Sequence, residues 1–184
     1  MSDTPLIFSL FDNKILPLSG DLTQHIFPDK ETVIEFNTPV MNREIILIDS
    51  LDRPNEKLLP LLFAAQTASD LGATHITLIA PYLAYMRQDK IFKPGQGITS
   101  TYFANIISTY FDRLITIDPH LHRWHALSEI YSIPTTALHA NDPIADWIQK
   151  NVNNPVLIGP DSESEQWVKA IATKSHVPLS LIHI

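Results

Sequence analysis

Three polar segments of this 184-residue chain carry residue types that could handle phosphate and metal together. Each follows a short apolar run. The first is Arg87-Gln88-Asp89, the second Asp118-Pro119-His120, and the third Gly159-Pro160-Asp161. An arginine offers a planar fork of donors that matches phosphate oxygens, while Asp118, His120 and Asp161 are suited to a divalent cation bridging those phosphates. Together they would fit a metal-bound nucleotide. Taken singly, each has a structural alternative: Arg87 and Asp89 as solvated loop charges, Asp118 as a turn cap. Three such segments at one edge of one sheet favour a site.

A rival reading uses the histidines. His120-Leu121-His122 followed by His125 resembles the metal site of a zinc hydrolase. Such sites need further ligands on other strands of a larger barrel or sandwich. The acidic residue expected beside the histidines in the sandwich version is replaced by Arg123 and Trp124.

Composition narrows the choice. There is no cysteine, which excludes a disulfide framework, a thiolate zinc site and a Cys nucleophile. Thirteen Lys+Arg against twenty Asp+Glu give a net charge of −7, which argues against a nucleic-acid backbone as the main partner. With five glycines the chain has neither a G-x-G-x-x-G turn nor a G-x-x-x-x-G-K-[ST] loop, so a dinucleotide dehydrogenase or a P-loop kinase is not expected. The longest apolar run, Leu58 to Ala65, contains Pro60 and falls far short of a bilayer span, and the first residues lack the basic start of a signal peptide. A soluble intracellular protein is the expectation.

The elements that must position these residues follow from hydrophobic patterning. Leu6–Phe11, Thr32–Phe36, Glu44–Ile48, Ile76–Ala80, Leu114–Ile117, Thr135–His139 and Val156–Ile158 read as strands, most of them continuously apolar, as strands covered on both faces are. Helical patterns span Asn55–Leu71 closed by Gly72, Ser100–Tyr110, Trp124–Tyr131, Asp142–Asn151 with Asn141 as N-cap, and Ser162–Ser175. Strands alternating with helices predict an α/β fold with a mostly parallel sheet flanked by helices. In such a fold, ligands sit at the carboxyl ends of the strands, where all three polar segments fall. Asn151-Val-Asn-Asn-Pro155 is polar and turn-prone, and divides the chain into a domain over 1–150 and the start of a second over 151–184.

The residues also resemble a known family, the ribose-phosphate diphosphokinases (phosphoribosyl diphosphate synthetases), from about Phe27 to Trp167. Pro81-Tyr-Leu-Ala-Tyr-Met-Arg-Gln-Asp89, continued by Phe92-Lys-Pro-Gly-Gln-Gly-Ile-Thr-Ser100, is close to that family's Pro-Tyr-x-x-Tyr-x-Arg-Gln-Asp run. Asp118-Pro-His120 is similar to its Asp-Leu-His turn, Phe27-Pro-Asp29-Lys-Glu31 to its Phe-x-Asp-Gly-Glu segment, and Pro160-Asp161 is the fourth match. Pro119 in place of leucine, and Ser162-Glu163 in place of paired glycines, depart from the pattern.

The resemblance implies a phosphoribosyltransferase-like domain plus the truncated start of a second similar one. It implies transfer of the diphosphoryl group of ATP to the C1 hydroxyl of ribose 5-phosphate. It also implies a cytoplasmic homo-oligomer with shared ATP sites. Phe27 would stack on adenine with Asp29 and Glu31 on its edge, reaching a neighbouring subunit's site. Arg87 and Gln88 would contact ATP, and Asp118, His120 and Asp161 would hold Mg²⁺. The family's Lys/Arg catalytic loop and Asp-Asp-rich ribose-phosphate loop have no counterpart here, so the chain as given is expected to be inactive. A nucleotide-binding regulator of a synthetase is the alternative from the binding class. The last residues, Leu179–Ile184, resemble a translated sequencing adapter, with a strand over Val177–Ile184 as the alternative.

Overall fold

The computed structural model describes residues 4–11, 17–160 and 164–181. Its principal sheet has five strands: β1 (Leu6–Phe8), β4 (Glu44–Ile48), β5 (His75–Ala80), β6 (Arg113–Ile117) and β7 (Thr135–Leu138). They lie in the order β1-β4-β5-β6-β7, every neighbour parallel, with Leu47 opposite both Phe8 and Leu78, and Leu78 opposite Leu114. The mostly parallel α/β expectation is met.

Two helices make the crossovers. Helix α1 (Pro54–Asp70) joins β4 to β5 and α2 (Thr99–Tyr110) joins β5 to β6. Because the strand order runs in one direction, right-handed crossovers place both helices on the same face, and they touch each other. Each helix buries one stripe: Leu61, Ala64, Ala65 and Ala68 in α1, and Ser100, Phe103, Ala104 and Ile107 in α2. The matching sheet face carries Leu6, Phe8, Ile45, Leu47, Ile76, Leu78 and Leu114, all buried. Alternate residues Ile7, Ile46, Ile48, Ile79 and Ile115 face the other way and are half-buried.

Pro60 lies inside α1 and is buried there, and α1 runs through it to Asp70. Pro54 opens the same helix, where its missing N–H has no intrahelical partner to lose. Beyond β1, a separate antiparallel hairpin joins β2 (Leu22–Ile26) to β3 (Thr32–Phe36), with Gln24 opposite Ile34. Ile34 and Phe36 tie β3 to the core, Phe36 meeting Phe8 edge-on at 5.0 Å. Strand β2 escaped the sequence reading.

Most boundaries lie within a residue or so of expectation, and three differences concern the architecture. The first strand stops at Phe8, because Ser9, Leu10 and Phe11 turn their donors onto Asp49. The segment Trp124–Tyr131 is no helix: it is a loop with one 3₁₀ turn, Leu127–Glu129, closed by Glu129 accepting from the backbone N–H groups of His125 and Ala126. Helix α3 (Asn141–Asn151) begins one residue early, with Ala140 at the N-cap and no side-chain cap bond, so Asn141 is its first residue.

The chain forms two compact units, Met1–Leu138 and His139–Ile184. Helix α3 belongs to the second. Within the second unit it packs on α4 (Glu165–Ser175), Gln149 donating to the carbonyl of Lys174 at 3.0 Å and the Lys174 ammonium meeting Asp142 at 2.8 Å. Asp142 in turn raises the pKa of Lys174. The same unit holds two parallel strands, β8 (Leu157–Gly159) and β9 (Leu179–Leu181). Residues 161–163 and 182–184 lie outside the described residues, and with them Asp161, the start of the predicted helix at Ser162 and the end of the tail. Among the described residues no helix is long and apolar enough to cross a membrane.

Candidate nucleotide site at the strand ends

The loops leaving the carboxyl ends of β5 and β6 carry four of the eight expected site residues. After β5, the chain turns at Tyr85, which adopts φ 61°, and Gln88 N–H closes the turn on the Tyr85 carbonyl at 3.0 Å. The Tyr85 ring packs on Phe103 of α2 at 5.0 Å, and its hydroxyl bonds Asn55 at the start of α1. Met86 is buried while Arg87 and Gln88 are exposed. Apolar anchors at 83, 84 and 86 thus fix the backbone and leave the two polar side chains presented.

Arg87 has no ion pair among the described residues, an unspent cation in a chain of net charge −7. Its five donors suit phosphate oxygens better than a point charge would. Asp89, by contrast, is not available to ligand. Its side chain is 2% exposed and takes Arg123 through one guanidinium nitrogen at 2.9 and 3.1 Å.

After β6, Asp118 adopts φ 41°, a left-handed conformation that aspartate tolerates better than most residues, and its N–H bonds the Leu138 carbonyl on β7 at 2.9 Å. Pro119 is buried and His120 half-buried. The proline has no N–H to give, and none is asked of it. His120 and His122 stack with ring centroids 6.2 Å apart and planes 20° apart.

Among the described residues no three His, Asp or Glu side chains converge as a metal-holding group. The zinc reading through His120, His122 and His125 therefore has no ligand set here. One carboxylate and one imidazole, Asp118 and His120, would suit Mg²⁺ that arrives already held by phosphate oxygens and water, since that ion is commonly bound by one or two protein groups plus substrate.

Three further expected residues, Phe27, Asp29 and Glu31, occupy the tip of the β2–β3 hairpin, and the eighth, Asp161, lies outside the described residues. Phe27 N–H bonds the Glu31 carbonyl and Lys30 N–H bonds the Phe27 carbonyl, both at 2.9 Å, while Asp29 accepts from Glu31 N–H at 3.1 Å. Lys30 takes φ 74°, a conformation that glycine, the family residue at this place, adopts without strain. The tip presents Phe27, 42% exposed, edge-on to His25 at 4.6 Å. A groove of about 980 Å³ runs between hairpin and α1, lined by Lys30, Glu31, Asn55 and Phe63 among others. Among the described residues no hydrogen bond, ion pair or ring contact joins Phe27, Asp29 or Glu31 to Arg87, Gln88 or His120. One chain thus displays two separate sets: a strand-end pair of loops and a projecting tip.

A sequence model of the N-terminal domain of ribose phosphate pyrophosphokinase matches residues 13–110, which include the hairpin tip and Arg87-Gln88. The chain belongs to the ribose-phosphate pyrophosphokinase family. Among curated relatives it is 33% identical over 159 residues to a ribose-phosphate pyrophosphokinase of Saccharolobus solfataricus, covering 85% of this chain and 54% of that protein. A relative of the same name from Halobacterium salinarum is 30% identical over 142 residues, 77% of this chain and 49% of that one. The chain therefore spans about half the length of the curated relatives it matches. In fold it matches phosphoribosylpyrophosphate synthetase from Mycobacterium smegmatis with a TM-score of 0.76 at 24% identity, over 90% of this chain and 56% of that one. The family named from four short motifs is thus the right one, and the fold is that of a phosphoribosyltransferase-like α/β protein.

Two residues that brace the loops at the strand ends were not singled out as candidates. Arg123 entered the sequence reading only as the wrong residue for a zinc site, and Asp49 not at all. Asp49 closes the carboxyl end of β4, is fully buried, and accepts from Ser9 Oγ, Leu10 N and Phe11 N at 2.7–3.0 Å. A lone acid directly after the apolar run Ile45–Ile48 was the available signal. Below it Lys57, 5% exposed, donates to Ser50 carbonyl and to Asp52 at 2.5 Å, which lowers the pKa of Asp52.

Proposed function

We propose that this chain carries the nucleotide-binding part of a ribose-phosphate diphosphokinase and takes ATP with Mg²⁺ at the β5 and β6 strand ends. The observation that carries the reading is the pairing of an unspent, exposed Arg87 beside Gln88 with the Asp118–His120 loop on the next strand, inside a chain of this family. Arg87 would hold phosphate oxygens and Gln88 would hydrogen-bond the nucleotide. Asp118 and His120 would hold Mg²⁺ directly or through water. Mg²⁺, when bound, supplies charge neutralisation on the diphosphoryl group. The reaction proposed for the whole enzyme is in-line attack of the ribose 5-phosphate C1 hydroxyl oxygen on the β-phosphorus. That oxygen–phosphorus bond forms as the bond from the β-phosphorus to the α–β bridging oxygen breaks, AMP leaves, and the hydroxyl proton is lost to solvent.

The hairpin belongs to the same reading. Among the described residues no hydrogen bond, ion pair or ring contact joins Phe27, Asp29 or Glu31 to Arg87, Gln88 or His120, and Phe27 and Ile26 are exposed at 42% and 56%. That supports a homo-oligomer in which Phe27, Asp29 and Glu31 meet the adenine bound by a neighbouring subunit. Because the chain spans about half of its curated relatives, it is expected to bind Mg·ATP without forming phosphoribosyl diphosphate by itself. Calorimetric titration with Mg·ATP tests the reading: saturable binding that Arg87→Ala weakens at least tenfold supports it, and no binding by the unaltered chain refutes it. Product formed from ribose 5-phosphate would refute the expectation of inactivity.

A further inference from the structure

The β5 and β6 loops are joined by a closed ring of contacts whose members lie on both. Asp89, next to Gln88, takes Arg123 of the β6 loop at 2.9 Å. Adjacent Trp124 donates its indole N–H to Ser100 Oγ at 3.3 Å. Ser100, fully buried at the start of α2, donates its backbone N–H back to the Gln88 carbonyl at 3.2 Å. The ring therefore runs Gln88, Asp89, Arg123, Trp124, Ser100 and returns to Gln88.

Its physics gives it stiffness. A carboxylate with a 2% exposed side chain is costly to bury unless paired, so Asp89 holds Arg123 firmly, while the Arg123 side chain, 39% exposed, keeps its remaining donors at the surface. The guanidinium also lies 5.9 Å from the Phe92 ring, whose centroid is 4.9 Å from the Lys90 ammonium. Arg123 is three residues from His120 and Asp89 is one from Gln88. Moving either loop alone would break a buried ion pair or a bond to a buried serine.

We infer that Arg123 is a positioning residue: clamped on Asp89, it sets the β6 loop bearing Asp118 and His120 at a fixed distance from Arg87 and Gln88, so that metal and nucleotide bind as one unit. The inference rests on the proposed Mg·ATP site. It makes the two ligands energetically coupled. A site of two independent loops would bind ATP with and without Mg²⁺ with little difference attributable to Arg123, whereas a clamped site transmits the metal's contribution to the nucleotide.

The test measures the dissociation constant of ATP twice, in EDTA and in saturating Mg²⁺, and takes the ratio as the metal increment. Arg123→Ala is expected to shrink that increment about tenfold, while the EDTA constant moves less than threefold. Arg123→Lys keeps a cation able to reach Asp89 and is expected to retain most of the increment. Trp124→Phe loses only the bond to Ser100 and is expected to shrink it two- to threefold. Far-ultraviolet circular dichroism reports folding, and should Arg123→Ala unfold, the lysine and phenylalanine variants and the paired change Asp89→Asn with Arg123→Gln carry the test. Variants that fold and show the unaltered increment overturn the clamp and leave the nucleotide reading standing. An unaltered chain that binds no ATP in either buffer overturns both.

Discussion

Asp49→Asn probes how the carboxyl end of the sheet is built. In the folded chain one oxygen of Asp49 accepts from Ser9 hydroxyl at 2.7 Å and from Phe11 N–H at 2.9 Å, while the other accepts from Leu10 N–H at 3.0 Å. Asparagine can place its carbonyl where the first two donors arrive, but its NH₂ then faces the third donor. Hydrogen bonds to a charged acceptor contribute about 1.5–3 kcal/mol each and neutral ones about 1. Two weakened bonds and one lost, with an unpaired amide at a fully buried site, sum to at least about 3 kcal/mol. At a urea dependence of about 2 kcal/mol per molar, the unfolding midpoint of the first unit falls by at least about 1.5 M. The chain forms two compact units, so amide exchange of Leu47 and Leu78 in urea is the appropriate probe, both residues being fully buried strand positions of the first unit. Leu10 and Phe11 amides should lose protection at lower urea than these. A midpoint within about 0.3 M of the unaltered chain would show that the carboxylate does not hold the β1 loop, and the reasoning from buried acceptors would fail.

Further expectations concern the core and the acid limb. The Tyr131 hydroxyl is buried without a hydrogen-bond partner among the described residues and burial pushes its pKa up, so Tyr131→Phe should stabilise the chain by about 1 kcal/mol. With a folded pKa above the ordinary 10.0, Tyr131 contributes stability that is complete below pH 10 and is lost above it, and the phenylalanine variant should resist alkaline unfolding that tyrosinate absorbance reports. A Cβ at Gly20 would lie 2.2 Å from a carbon of the buried Phe8 ring, so Gly20→Ala should cost about 1–3 kcal/mol in urea unfolding. The Lys57 hydrogen bond lowers the pKa of Asp52, so its contribution is present above pH 3.8 and is lost as pH falls through the depressed value. The stability gap between the unaltered chain and Asp52→Asn should therefore close in acid.

What the sequence disclosed follows burial. The strands of the central sheet were legible because they are continuously apolar, and their observed limits in β4, β5 and β6 fall within a residue of the pattern. Strand β2 was not, since Thr23, Gln24 and His25 sit in a two-stranded ribbon with little core behind it, and no apolar period marks it. The misread helix at Trp124–Tyr131 shows a different failure. Its residues have helical spacing, but Trp124 is drawn to Ser100 and Arg123 to Asp89, tertiary contacts that local patterning cannot see.

The same distinction explains why candidate ligand contacts were easier to name than their supports. Arg87, Gln88, Asp118 and His120 stand in short motifs at strand ends, where chemistry dictates residue type and a resemblance can carry over position by position. Asp89 stands in the same motif and reads identically, yet its side chain is spent inside the protein on Arg123. Arg123 lies at a place where the resemblance offers no role, because it answers to a buried partner 34 residues away rather than to a ligand. The loop's proline has the same logic. Pro119 is buried and its neighbour Asp118 is held through its own N–H to Leu138, so a donor at 119 can be dispensed with once the β6 loop is pinned from both ends, by β7 on one side and by Asp89 on the other. The proline at 119 and the Asp89–Arg123 ion pair are then two parts of one solution to holding this loop.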